Sequence, residues 1–171
     1  KSVGEGRDTS YTVTNFSPAA RIDYRFSDDK FLRVRYRGRT SQPSINQLMP
    51  VNDNSDPLKQ TVGNPNLDPE FTHSLSTEYR SNNRRNFSFF SASADFSFTQ
   101  NDIVAKKYYT EEGVQISTYE NADKNVYSAS GRIMVNTPIA KSNFSVNSFT
   151  MVRYNNGYSY VMDAGDWTEN E

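Results

Sequence analysis

The sequence predicts an all-β fold, an antiparallel meander of about six long strands with an extra hairpin inside one long connection. Three observations carry that expectation. Apolar and polar residues alternate with period two through six separate stretches, and no segment shows a helical period. The alternating stretches run ~10–13 residues, against ~5–6 for ordinary globular strands. The connections between them are short and long in strict turn. In an antiparallel meander that order sorts the short turns to one end of the sheet and the long loops to the other.

The first strand, near 15–26, sets Phe16, Ile22, Tyr24 and Phe26 on one face and Arg21, Asp23 and Arg25 on the other. Residues 27–30 form the turn into a second strand near 31–40, where Leu32, Val34, Tyr36 and Gly38 oppose Arg33, Arg35, Arg37 and Arg39. Four arginines on one face cannot sit in a dry core, where each unpaired charge costs several kcal/mol, so this face is wet. Whichever even register closes the hairpin, Asp23 meets Arg33 or Arg35 across the strands.

A long polar connection, 41–69, leads to a third strand near 70–80, with Phe71, Leu75 and Tyr79 opposite Ser74, Ser76 and Glu78. His73 falls in phase with the apolar side, as a boundary residue would. After a turn at 81–85, the fourth strand, near 86–100, alternates Phe90, Ala92, Ala94, Phe96 and Phe98 with Ser91, Ser93, Asp95 and Ser97. Phe87 and Phe89 break its phase, which predicts a bulge. The second long connection, 101–125, holds its own hairpin across Glu111-Glu112-Gly113. The fifth and sixth strands, near 126–137 and 143–155, flank a turn at 138–142. Residues 156–171 read as irregular and polar.

Composition narrows the function. The chain's 171 residues include 21 Ser and 18 Asn but 5 Leu, with 11 Phe and 11 Tyr. Its mean hydropathy is −0.82. That mixture fits β-structure with one very polar face. Nineteen basic against 20 acidic residues leave no field for nucleic acid. Without Cys there is no disulfide, thiolate nucleophile or Cys-based metal site. The acidic pairs Asp28-Asp29 and Glu111-Glu112 are adjacent in turns, so their side chains diverge rather than form a catalytic dyad. Gly4-x-Gly6 lacks the third glycine of a dinucleotide loop, and Asp53-Asn54-Ser55-Asp56 lacks the Gly and distal Glu of a calcium loop. No catalysis, metal or cofactor is expected. Asn-Phe-Ser triplets at 15, 86 and 143 open strands and read as strand starts. No apolar run reaches the ~18 residues of a membrane helix, and the first six residues lack the apolar core of a signal peptide.

Strand length and loop asymmetry instead match a transmembrane β-barrel, whose tilted strands take ~9–11 residues to cross the bilayer. The apolar face then meets lipid and the polar face lines a wet lumen. Arg33, Arg35, Arg37, Arg39, Asp23 and Glu78 are the lumen-facing candidates, as water-bridged charges, as guides for an anionic solute or as contacts for an acidic plug surface. Aromatics gather toward the short turns (Tyr24, Phe26, Phe31, Tyr79, Phe87, Phe89, Phe144) and toward the long loops (Tyr108, Tyr109, Tyr119, Tyr154, Tyr158, Tyr160), as two interfacial girdles would. The competing expectation is a soluble or secreted β-sandwich that binds glycan or protein through Tyr108, Tyr109 and Tyr119.

The run Gly63-Asn64-Pro65-Asn66-Leu67-Asp68-Pro69-Glu70, followed by a strand, resembles the G-N-P-N-L-x-P-E element of TonB-dependent outer-membrane receptors. Arg39 to Leu48 is similar to that family's R-A-P-S-x-x-E-L strand end, with Gln42 for its Ala and Gln47 for its Glu. Asn101-Asp102-Ile103 and Tyr119-Glu120-Asn121 are similar to its N-x-I and Y-x-N elements. The Ser/Asn-rich flavour resembles the outer-membrane β-barrel branch of Gram-negative gut-type bacteria. The resemblance spans 39–137. It implies a nutrient receptor of the Gram-negative outer membrane whose barrel encloses a plug domain and is powered by the TonB system. Such barrels have about 22 strands, and no plug, TonB box or terminal aromatic strand is evident. The chain is therefore expected to be an internal slice of the wall, not transport-competent alone. Isolated, the slice is expected to curl apolar side inward or to pair with a second copy.

Overall fold

The computed structural model describes residues 15–49, 53–56, 58–139, 142–157, 159–163 and 166–170. Gly4-x-Gly6, Tyr158 and the side chains of 53–56 lie outside what is described. In chain order the elements are β1 (Ala19–Ser27), β2 (Lys30–Ser41), α1 (Ile45–Leu48), β3 (Asp53–Asp56), β4 (Lys59–Thr61), β5 (Glu70–Asn83) and β6 (Ser88–Gln100). They continue as β7 (Ile103–Tyr109), β8 (Gln115–Asn121), β9 (Val126–Pro138), β10 (Ser145–Asn155), β11 (Ser159–Asp163) and β12 (Asp166–Asn170).

One sheet contains the six long strands in the order β1-β2-β5-β6-β9-β10, every neighbour antiparallel. It is open, with β1 and β10 as its edges. Register follows the apolar pattern, because a one-residue slip would exchange the faces. Ile22 pairs with Val34 and Tyr24 with Leu32, while Asp23 meets Arg33. No bulge occurs at Phe87. Pairing of β5 with β6 is unbroken from Phe71–Gln100 to Asn83–Ser88, and Phe87 ends the intervening turn at φ 54°. A tight turn, not an extra residue in the strand, breaks the phase. The register shift lies instead in β1, between Arg25 and Ser27.

The long connections and the tail together build a second sheet at the opposite end from the short turns, in the order β12-β11-β7-β8-β4-β3. The expected hairpin is present as β7 and β8. The connection 41–69 and the tail, which was expected to be irregular, both contain regular structure. Residues 41–69 contain α1, β3 and β4, and the tail contains β11 and β12. The hairpin's two edges recruit them: β4 runs parallel to β8, and β11 pairs parallel with β7 at Tyr160–Lys106 and Val161–Lys107. Backbone demand at an open edge does this, and side-chain alternation carries no trace of it.

Burial is inverted relative to a soluble domain. The buried hydrophobic residues among those described are Leu67, Val104 and Ala122, all in the loop assembly. The large sheet exposes its apolar face, with Ile22 at 66% and Val152 at 67%. It does not curl inward, since the described residues supply no second apolar layer to receive it, as a sandwich would require.

Two aromatic belts cross this apolar face. Nearer the short turns, Tyr24 contacts Phe26 at 4.7 Å, Phe26 contacts Tyr79 at 6.2 Å and Tyr79 contacts Phe90 at 6.1 Å between ring centroids. Nearer the loops, Phe71, His73, Phe98 and Tyr127 form a chain with spacings of 4.7, 5.5 and 5.5 Å. The Tyr36 hydroxyl and His73 Nδ1 share a hydrogen bond of 2.8 Å. The outer belt is thus built within the strands, where the loop tyrosines had been expected. Phe31 and Phe89 fall on the polar face by register. Phe90 and Phe98 are ~27 Å apart along β6 at ~3.4 Å per residue. A tilt of ~40° shortens this to ~21 Å, close to the ~25 Å apolar band of a barrel.

Candidate functional site

Every second residue of β1, β2, β5, β6, β9 and β10 faces the polar side, and there the charges form a network. Asp23 Oδ1 accepts from Arg33 Nε at 2.7 Å, and its Oδ2 accepts from Arg21 Nε at 2.5 Å. Glu78, directly across from Arg33, lies 3.5 Å from it and 2.6 Å from Arg80. Asp95 accepts from Arg132 at 2.9 Å. Phe31 underlies this knot, with the Arg33 and Arg80 guanidinium carbons 5.4 and 5.8 Å from its ring centre. A hollow of about 420 Å³ opens over Arg33, Glu78, Arg132 and the apolar side chains Met134, Phe149 and Met151.

The predicted ladder therefore divides. Arg33 is half-buried and paired, whereas Arg35, Arg37 and Arg39 are exposed. Across from those three stand Ser76, Ser74 and Thr72 in register. Arg35 and Arg37 line a second hollow of about 520 Å³ with Ser74, Ser76, Ala19 and Arg21.

The Gly63–Glu70 element fastens the two outer loops together. Gly63 N–H donates to Met49 O and Asn64 N–H to Gln47 O. A Cβ on Gly63 would lie 2.3 Å from Met49 O, a backbone atom with no room to yield. Asn64 Nδ2 reaches the Tyr119 carbonyl on β8 at 2.9 Å, while its Oδ1 accepts from Asn66 N–H across the Pro65–Asn66 turn. Leu67 is buried, and Pro69 leads into β5. Glu70 Oε1 accepts from Ile103 N–H at 2.9 Å. Asn121 closes the junction from the other loop. It accepts from Asp68 N–H at 2.8 Å and donates to Asp68 O and Asn101 O at 3.0 and 2.8 Å. Gln47, standing where the related element has Glu, closes a capping box with Ser44 at the start of α1. Either residue type satisfies that box. At the same junction, burial raises the Asp102 carboxyl above its usual range, and a hydrogen bond with Glu70 partly opposes the rise.

The three loop tyrosines do not share a face. In the β7–β8 register Ala105 pairs with Tyr119 and Tyr109 with Gln115, which puts Tyr109 and Tyr119 on one side and Tyr108 on the other. Sequence reasoning missed Asn121 and Asp102 as parts of the loop junction. The signal lay in the short N-x-I and Y-x-N elements, whose polar residues serve backbone groups of the neighbouring loop.

Comparison with known proteins bears on this geometry directly. Residues 1–170 match the family model described as Outer membrane protein beta-barrel family. Among solved structures, the siderophore receptor PirA from Pseudomonas aeruginosa matches with a TM-score of 0.59 and 19% sequence identity. The match covers 81% of this chain and 28% of that one, and at this identity the likeness is one of fold. No curated protein matches the chain.

Proposed function

This chain belongs to the outer membrane protein beta-barrel family, a protein of the Gram-negative outer membrane, and from that premise we propose that its six-stranded sheet is wall of a TonB-dependent receptor barrel that imports a nutrient. The carrying observation is a single-layer sheet with an exposed, aromatic-belted apolar face and a polar face of networked arginines and carboxylates. Lipid satisfies the first face and a wet lumen the second. The open edges β1 and β10 are continued by further strands of the same wall. Six strands of about 22 agree in scale with the 28% of the PirA chain that is matched. A plug domain inside the barrel and the TonB system across the periplasm complete the machine, and the chain itself contributes no catalysis. The sandwich alternative is set aside by the family membership and by the missing second layer among the described residues.

Deleting the protein and screening growth on iron chelates, cobalamin, glycans and peptides as limiting sources tests the receptor reading. One source should be lost, and loss of TonB should abolish growth on the same source. Unimpaired growth on every source contradicts the reading.

A further inference from the structure

The polar face of the six-stranded sheet is strongly cationic although the chain's net charge is −1. Its alternate positions carry nine arginines and four carboxylates, Asp23, Glu70, Glu78 and Asp95. All four carboxylates are engaged. Asp23 is held by Arg21 and Arg33, Glu78 by Arg33 and Arg80, and Asp95 by Arg132. Glu70 accepts from Ile103 N–H. Arg35, Arg37 and Arg39 have no carboxylate partner among the described residues.

These three stand on one strand, on one face, ~7 Å apart at two residues per step. Each faces a hydroxyl donor across the ladder, Ser76, Ser74 or Thr72. Arg39 lies near the loop end of β2, and Arg35 lies next to the neutralised knot at Arg33 and Glu78. Cations and hydroxyls therefore form a double row between Glu70 at the outer rim, which is engaged by Ile103 N–H, and the paired carboxylates Glu78 and Asp95. Guanidinium forks and hydroxyls are the donors that recognise carboxylate and phosphate oxygens. A ligand whose negative charges are spread along the row meets all three guanidiniums at once, where a monovalent anion meets one.

We propose that Arg35, Arg37 and Arg39, with Ser76, Ser74 and Thr72, form a binding track for an elongated multivalent anion bearing carboxylates or phosphates. The track rests on the reading of this face as lumen, and it supplies that receptor with a ligand class. Uncommitted arginines on the wet inner face of the wall raise the local concentration of such anions and hold them in its outer half.

Arginine-directed labelling with phenylglyoxal, mapped by peptide mass spectrometry on outer membranes containing the protein, tests the track with citrate, tripolyphosphate and acetate as probes. Arg35, Arg37 and Arg39 should react about tenfold faster than the paired Arg33 and Arg132. Citrate or tripolyphosphate should slow the three about tenfold, while acetate changes them less than about twofold. Protection by citrate alone assigns a polycarboxylate, by tripolyphosphate alone a polyphosphate, and by both a site that reads charge spacing. In the double variant Arg35→Gln/Arg37→Gln, Arg39 should lose its protection while the protein keeps its heat-modifiable gel mobility. Three outcomes overturn the track while leaving the receptor reading intact: no protection beyond acetate, labelling of the three as slow as Arg33, or full protection of Arg39 in the double variant. If no arginine of this face reacts, Arg132 included, the lumen reading falls and the track with it.

Discussion

Replacing Ala94 with Arg puts a guanidinium at the centre of the apolar face. Ala94 lies on β6 midway between Phe90 and Phe98, which belong to the two aromatic belts, and it is flanked by Thr77 and Gly131. A charge at the bilayer midplane of a barrel's outer surface costs about 2–4 kcal/mol, or about 30-fold to several hundredfold in the folding equilibrium. The neighbouring residue supplies the control. Ser93 faces the polar side, directly across from Glu78 on β5 and Arg132 on β9. An arginine there gains one opposite charge and one like charge in a wet environment, for a net cost of about 0–1 kcal/mol. Urea titration of the protein folded in phosphocholine vesicles reads both values. Equal costs at the two positions, or a larger cost for Ser93→Arg, refute the assignment of faces.

The loop junction and its buried carboxyl give two further expectations. Asn121→Ala removes one acceptor and two donor contacts to Asp68 and Asn101. It should cost about 1–3 kcal/mol locally. Hydrogen exchange should then speed up at Asp68 and along β8 but not in β5–β6, and loosening of the whole sheet would contradict a local fastening. Because burial raises the Asp102 carboxyl in the folded state, its contribution to stability is complete below the unfolded carboxylate range and fades as pH rises through the folded value. Protection of the Ile103 and Ala122 amides, corrected for intrinsic exchange, should therefore fall across that window. Asp102→Asn should flatten the dependence, and protection that rises with pH in the native protein would be inconsistent with this account.

The strands were legible because a sheet with one lipid face and one wet face writes its register into every second residue. Phe90 to Phe98 against Ser91 to Ser97 fixed β6 without reference to any neighbour, and Asp23 could meet only Arg33 or Arg35. What stayed hidden depends on backbone demand and on side chains serving distant main-chain groups. The parallel addition of β4 and β11 to the loop hairpin follows from open edges, which no periodicity records. Asn121 and Asn64 act on carbonyls of residues 53 and 55 positions away in sequence, so composition gives no hint of their role. The division of the arginine ladder was equally out of reach. Arg33 differs from Arg35 only in what stands opposite, Asp23 and Glu78 in one case and Arg21 and Ser76 in the other.

The central claim is that β6 and its neighbours stand between lipid and water. The chain has no cysteine, so single cysteines placed in turn at residues 90–98 can each carry a fluorophore in the membrane-inserted protein. Quenching by brominated lipid should peak at Phe90, Ala92, Ala94, Phe96 and Phe98, and quenching by aqueous iodide at Ser91, Ser93, Asp95 and Ser97. Loss of that period-two alternation, or its appearance in the opposite phase, would contradict the account.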